Sequence, residues 1–290
     1  MTLASLSLTS HAPGPLTDRD AFFFDLHGAI VIRGALAARE VADCNRILDR
    51  LQHLKVGEWE GWVHGHNFGA RDGLNLQQIF EAGEPFEALL DHPAWYEKVR
   101  AFVGGEGTFD YAQGPMYVDE VFANLRGQGE AIPLHSGGYN ISKRCQFEVR
   151  EGKFHCSQIN VLAALNDIGP GDGATMVVPA SHKSHFPHPE HTAKGWGNAL
   201  SADGLECAVE VHLRAGDAVI FTDAITHGSA ARVNGGQRRN IVYRYGPSWG
   251  GSRHGYRASP EALARMTPLR RQLVQPLDPV LPPVAALAPA

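Results

Sequence analysis

The chain has 290 residues, 43% hydrophobic and 20% charged, enough to bury a sizeable core in one large domain or two small ones, which excludes global disorder and fibrous architectures. With 26 Lys and Arg against 31 Asp and Glu the formal net charge is −5, so neither nucleic acid nor an anionic membrane is an expected partner and a small molecule is. Four cysteines with no C-x-x-C pair, a first segment without a basic and apolar leader, and no long uninterrupted apolar window predict a cytoplasmic chain with reduced thiols.

Thr17 followed by Asp20 predicts a helix start leading into Phe22, Phe23 and Phe24. A strand follows over 27–34, then a helix over 37–54 in which Val41, Cys44, Ile47, Leu48 and Leu51 recur at helical spacing. Residues 57–80 mix Gly, Trp and His without a period and read as a long surface loop, with Trp59 and Trp62 expected at a pocket. Residues 83–103 read as one helix. Beyond 108, short runs alternate with Gly and Pro turns and predict strands at 108–111, 116–118, 159–165, 175–178, 208–213, 218–222 and 240–245. The expected organisation is an N-terminal extension over 1–16, a β-rich domain over 17–275 and a Pro/Ala-rich tail over 276–290.

Three segments concentrate the chemistry: Pro133-Leu134-His135-Ser136-Gly137-Gly138, the stretch from Gly171 to Lys183, and Gly216 to Ser229, followed by Arg238-Arg239. With the opening LTDRDAFFFDLHGAIVIRGAL, their order and spacing over about residues 17–247 resemble the phytanoyl-CoA dioxygenase-like family of iron(II)- and 2-oxoglutarate-dependent oxygenases. The resemblance implies a mainly β fold with flanking helices, a double-stranded β-helix of the jelly-roll, cupin-like kind. It implies metal ligation by His135 and His227, and a clamp on the far carboxylate of 2-oxoglutarate by Arg238, eleven residues after the second histidine. The residue types agree, since imidazole suits iron(II) and a guanidinium holds a carboxylate in a bidentate fork. Ser229 and Gln158 are candidates to hydrogen-bond the co-substrate, with ordinary strand polarity as the competing reading. Gly171-Asp172-Gly173 reads as a structural turn, and His182 as a structural rather than a metal-binding histidine.

One position departs from the family pattern. Where the family's His-x-Asp supplies a carboxylate, this chain has Gly137. In the related halogenases a small residue here leaves a vacancy for chloride. Asp223 is a candidate third ligand, or an acid behind the metal; four extended residues span about 13 Å, which favours the second role unless a turn shortens the path to His227. Glu148 and Glu151 are further carboxylates without a spacing argument. Segment 138–155, with Tyr139, Asn140, Lys143, Arg144 and Arg150, is expected to form the substrate mouth together with Trp62, and its basic residues would suit an anionic substrate. Three functions stay open. One is hydroxylation of an unactivated C–H bond of a small molecule using O₂, with release of succinate and CO₂; another is halogenation with chloride at the Gly137 vacancy. The third is a cupin-like binding protein with a degenerate metal site.

Overall fold

A computed structural model describes residues 7–69, 73–105, 115–189, 205–248 and 258–274. The chain opens with strand β1 (Ser10–His11), helix α1 (Asp18–His27), strand β2 (Ala29–Ile32) and helix α2 (Ala38–Leu51). The predicted cap is present. The Thr17 hydroxyl accepts from the Asp20 N–H at 3.1 Å and the Asp20 carboxylate accepts from the Thr17 N–H at 2.8 Å, a reciprocal arrangement worth about 1 kcal/mol. Helix α2 buries Cys44, Ile47, Leu48 and Leu51, the stripe that its spacing predicted. Ser10 and His11 pair in parallel with Val31 and Ile32, so this part of the expected N-terminal extension is built into the sheet as its edge strand.

Residues 57–80 differ from the predicted loop. They hold three short strands, β3 (Trp59–Glu60), β4 (Val63–His66) and β5 (Leu74–Gln77), which continue the main sheet. Their own composition carries no strand signal; β5 pairs with β6 (Tyr117–Arg126), a partner about fifty residues along the chain, and β4 and β3 add to it in turn. The helix expected over 83–103 is broken into α3 (Glu84–Glu87), a 3₁₀ turn over Ala88–Asp91, and α4 (Tyr96–Phe102). Pro93 explains the break: it pushes His92 to an extended ψ of 130°.

The remaining strands are β7 (Ile132–His135), β8 (Val149–Arg150), β9 (Lys153–Phe154), β10 (Ile159–Ala164), β11 (Thr175–Val178), β12 (Val209–Val211), β13 (Ala218–Thr222), β14 (Thr226–Ser229) and β15 (Arg238–Gly246); helices α5 (Pro260–Arg265) and α6 (Pro268–Val274) follow. The main sheet runs β1-β2-β13-β10-β15-β6-β5-β4-β3, and a four-stranded sheet β12-β11-β14-β7 faces it. This is the mainly β jelly-roll architecture that was expected. The predicted strand over 108–111 and the tail over 276–290 lie outside the described residues. Among the described residues no helix is long and apolar enough to cross a membrane.

Strand alternation sorts the main sheet into two faces. Val121, Ala123, Leu125, Ile159, Val161, Ile241, Tyr243 and Tyr245 point to the helices and join the larger core. Phe122, Leu162, Phe221 and Val242 point to the small sheet and pack with Val177 and Val211. Polar residues interrupt that second face, and the functional site lies there.

Candidate active site

His135 on β7 lies opposite His227 on β14, with the ring centroids 4.1 Å apart. Each ring is tied down in the same way. His135 donates its Nδ1–H to the Pro133 carbonyl at 3.0 Å, and His227 donates its Nδ1–H to the Ile225 carbonyl at 2.8 Å. This fixes the tautomer and leaves both Nε2 lone pairs outside those bonds, in the form that can ligate a metal. Burial lowers the pKa of each imidazole, and for His135 the neighbouring His227 lowers it further, so both rings stay in the neutral form that binds metal. The pairing of β7 with β14 requires glycine at 228, where a Cβ would lie 2.6 Å from the Ile132 carbonyl oxygen.

The histidines open on a cavity of about 400 Å³ between the sheets. Four alternate residues of β15, Arg238, Asn240, Val242 and Arg244, run along its wall. At one end Arg238, only 4% exposed, donates to the Gly173 carbonyl and, at 2.6 Å, to Asn124 Oδ1; the Asn124 amide in turn donates to Asn75 Oδ1 at 2.8 Å. Arg126, opposite Arg238 in register, donates to the Ser229 hydroxyl at 2.6 Å and to the Glu130 carbonyl. Two buried guanidiniums therefore flank this end, which suits a carboxylate.

At the other end lies Asp223, fully buried. The chain turns between β13 and β14, with the Ile225 N–H donating to the Thr222 carbonyl at 3.0 Å, so the long extended path from Asp223 to His227 is not realised. The Asp223 carboxylate accepts from Arg144 at 3.2 Å, from the Ser136 hydroxyl at 3.4 Å and from the Asn160 amide at 3.2 Å. Burial pushes its pKa up, but His227, Arg244 and Arg144 outweigh this and hold it below the usual carboxylate range. Among the described residues no group of three or more His, Cys, Asp and Glu side chains is arranged to hold a metal.

Other predicted residues fall elsewhere. Gln158 is buried but is not among the cavity-lining residues, and neither amide atom makes a hydrogen bond. Trp62, 46% exposed, Tyr139 and Asn140 are also not among the cavity-lining residues; Asn140 instead accepts from the Ser142 N–H at 3.0 Å. Glu148 pairs with Arg150 on the β8–β9 hairpin. His182 is structural, as read, with Nε2–H donating to the Asp25 carbonyl at 3.0 Å. The aromatic wall consists of Phe68 and Phe122, and Arg144 is the residue of the 138–155 segment that lines the cavity. Sequence reasoning missed Arg126, Asn160, Asn240 and Arg244. The available signal was period-2 polarity inside apolar strands, with Arg238, Asn240 and Arg244 on one face of β15 and Ile241, Tyr243 and Tyr245 on the other.

At Gly137 the backbone leaves little room for a side chain. The backbone leaves the strand directly after His135, with φ of 63° at Ser136 and 119° at Gly137. A Cβ at 137 would lie 2.5 Å from the Tyr139 ring and 2.8 Å from the Thr226 hydroxyl. The direction a side chain would take is already filled by the protein.

Residues 24–240 match the phytanoyl-CoA dioxygenase (PhyH) family. The chain belongs to that family. It is 29% identical over 260 residues to dioxygenase cdmD of Talaromyces verruculosus, covering 85% of this chain and 80% of that one. It is 25% identical over 226 residues to dioxygenase FUM3 of Gibberella moniliformis, covering 74% and 67%. Its fold is similar to that of HygX from Streptomyces hygroscopicus, solved with nickel and 2-oxoglutarate, with a TM-score of 0.67, 23% identity and coverage of 82% and 89%. The epimerase SnoN from nogalamycin biosynthesis is similar at a TM-score of 0.54 and 17% identity, covering 80% and 83%. Family and dioxygenase-named relatives together support an iron- and 2-oxoglutarate-dependent oxygenase.

Proposed function

We propose that the protein is an iron(II)- and 2-oxoglutarate-dependent oxygenase that hydroxylates an unactivated C–H bond of a small molecule. One observation carries this reading: two neutral imidazoles, each oriented by a backbone carbonyl, share a cavity whose far end is lined by buried guanidinium. The donor set fits the group. His135 and His227 would hold iron(II) through Nε2, while Arg238 would hold the distal carboxylate of 2-oxoglutarate, with Ser229 beside it. When bound, the metal and co-substrate supply O₂ activation coupled to decarboxylation of 2-oxoglutarate to succinate and CO₂.

The chain's own contribution is placement. The carbonyls of Pro133 and Ile225 keep both imidazoles in one tautomer. Asp223 offsets the charge of Arg144 beside the histidines without itself facing solvent. Hydroxylation is the reading that the dioxygenase-named relatives support, and the chloride arm of the titration below tests it against halogenation. A cytoplasmic setting belongs to the same reading and is supported by four free cysteines.

The test is an anaerobic absorption titration of the metal-free protein with iron(II) and then 2-oxoglutarate, with and without chloride. A visible metal-to-ligand charge-transfer band, absent in Arg238→Met and indifferent to chloride, is expected. A band that strengthens with chloride favours the halogenase, and no band in the unaltered protein overturns the oxygenase assignment in favour of a binding protein.

A further inference from the structure

The cavity end opposite Arg238 holds a polar atom that the co-substrate chemistry leaves unused. Asn160 and Arg244 are cross-strand partners on β10 and β15, and both line the cavity. Arg244 lies six residues from Arg238, about 20 Å along an extended strand, so the two guanidiniums stand at separate places along the cavity wall. Asn160 is 1% exposed and donates its amide N–H to the Asp223 carboxylate at 3.2 Å. Only the nitrogen of an amide can donate to a carboxylate, so the orientation is fixed. Its Oδ1 is the acceptor left over, and it is buried with no hydrogen-bond partner.

Neither the co-substrate nor the histidines can satisfy that oxygen. A dicarboxylate with a keto group has no hydrogen to donate, and both imidazole Nδ1–H groups are committed to carbonyls. The donor must come from whatever fills this end of the cavity. The charges there are already matched. Arg144 pairs with Asp223, and Arg244 pairs with Glu120, both carboxylates having side chains at 0% exposure. This reverses the expectation that the basic residues of the 138–155 segment suit an anionic substrate. Apolar surface completes the subsite, since the Arg244 guanidinium lies 5.3 Å from the Phe122 ring centroid and 5.9 Å from that of Phe68.

We infer that Asn160, oriented by Asp223, reads a hydroxyl donor on an uncharged, hydroxylated small-molecule substrate whose carbon skeleton rests against Phe68 and Phe122. The inference rests on the oxygenase reading of the same cavity and names its substrate class. Asn160 is a binding residue, and Asp223 a positioning residue that acts through it.

The experiment measures binding to the full chain loaded anaerobically with iron(II) and 2-oxoglutarate. Ligand-observed NMR and thermal shift are read with three matched probe sets: neutral cyclohexanols and inositols, their methyl ethers, and cyclohexanecarboxylates. The alcohols should bind, and the ethers, which cannot donate, at least about tenfold more weakly. Asn160→Leu should remove the preference for alcohol over ether. The comparison in the unaltered protein stands even if that variant folds poorly. Ethers binding as well as alcohols, carboxylates binding best, or no binding by the alcohols each overturns the inference. The charge-transfer band, recorded on the same samples, separates the two failures: band present with no alcohol preference sinks only the substrate class, whereas no band sinks the oxygenase reading.

Discussion

Two regions of this molecule bury charge, and they do so with opposite completeness. Where β1, α1 and α4 meet, Asp20 accepts from Lys98 at 2.5 Å, from His11 at 2.6 Å and from the Thr17 N–H at 2.8 Å, while Lys98 also donates to the Pro15 carbonyl at 2.8 Å. The remaining His11 nitrogen contacts the Thr9 hydroxyl at 2.6 Å. This cluster ties three elements together and leaves the Asp20 carboxylate fully engaged. Between the sheets, by contrast, Asn160 and Asn240 each carry a buried oxygen without a partner, beside two histidines whose Nε2 atoms are held for something else. Asn160 and Asn240 differ from the buried unpartnered atoms elsewhere in the described residues, such as those of Gln158 and His182, in that both line the cavity.

Four changes break or sharpen that contrast. The largest effect is expected from His227→Ala, which removes one of the two imidazoles: the iron-dependent band and turnover should vanish while the urea midpoint stays close to that of the unaltered protein, as measured by absorption and chemical denaturation. Lys98→Met acts the other way. Leaving Asp20 buried without its ammonium should cost about 3–5 kcal/mol of stability in urea denaturation, with iron affinity in the surviving folded protein unchanged.

A third test uses pH. Burial lowers the His182 pKa to about 4 from the usual 6.5. Because the folded form resists protonation, the unfolded chain takes up the proton first as pH falls below 6.5, and stability drops until pH reaches about 4. The contribution is roughly 3 kcal/mol across that window, and His182→Gln should flatten the stability profile by that amount relative to the unaltered protein. A slope unchanged by the substitution would place the acid sensitivity elsewhere. The smallest effect is expected from Gly137→Ala. A Cβ at φ 119°, pressed on the Tyr139 ring, should cost about 1–3 kcal/mol in thermal denaturation. An alanine accommodated without loss would show that the Tyr139 ring gives way.

The legible part of the site was carried by the resemblance to the oxygenase family, with which the residue types agree. His135, His227 and Arg238, the positions that the resemblance implies, all line one cavity. Ser229, two residues after His227, lines it as well. Tyr139, Asn140 and Trp62 lie close in sequence to the motif or in a predicted loop, and closeness along the chain does not say which way a loop folds; Gln158 lies beside a predicted strand, whose face the sequence leaves open. The strands within 57–80 were hidden because an edge strand gains its hydrogen bonds from its neighbour rather than from its own pattern. For Asp223 the span of an extended chain favoured a place behind the metal over direct ligation, and the turn at Thr222–Ile225 removes that span.

By itself the sequence determined what depends on a few neighbouring residues: the capped start of α1, the apolar stripe of α2, the short strand-forming runs of β10, β13 and β15, and the imidazole and guanidinium chemistry on offer. Only the tertiary structure decided which polar groups share the space between the sheets. Asp223, Arg144 and Asn160 come from a turn, a 3₁₀ segment and a central strand, and Arg126 reaches Ser229 from more than a hundred residues away. Strand pairing is non-local, so the register that brings these groups together is a property of two strands at once and cannot be read from either alone.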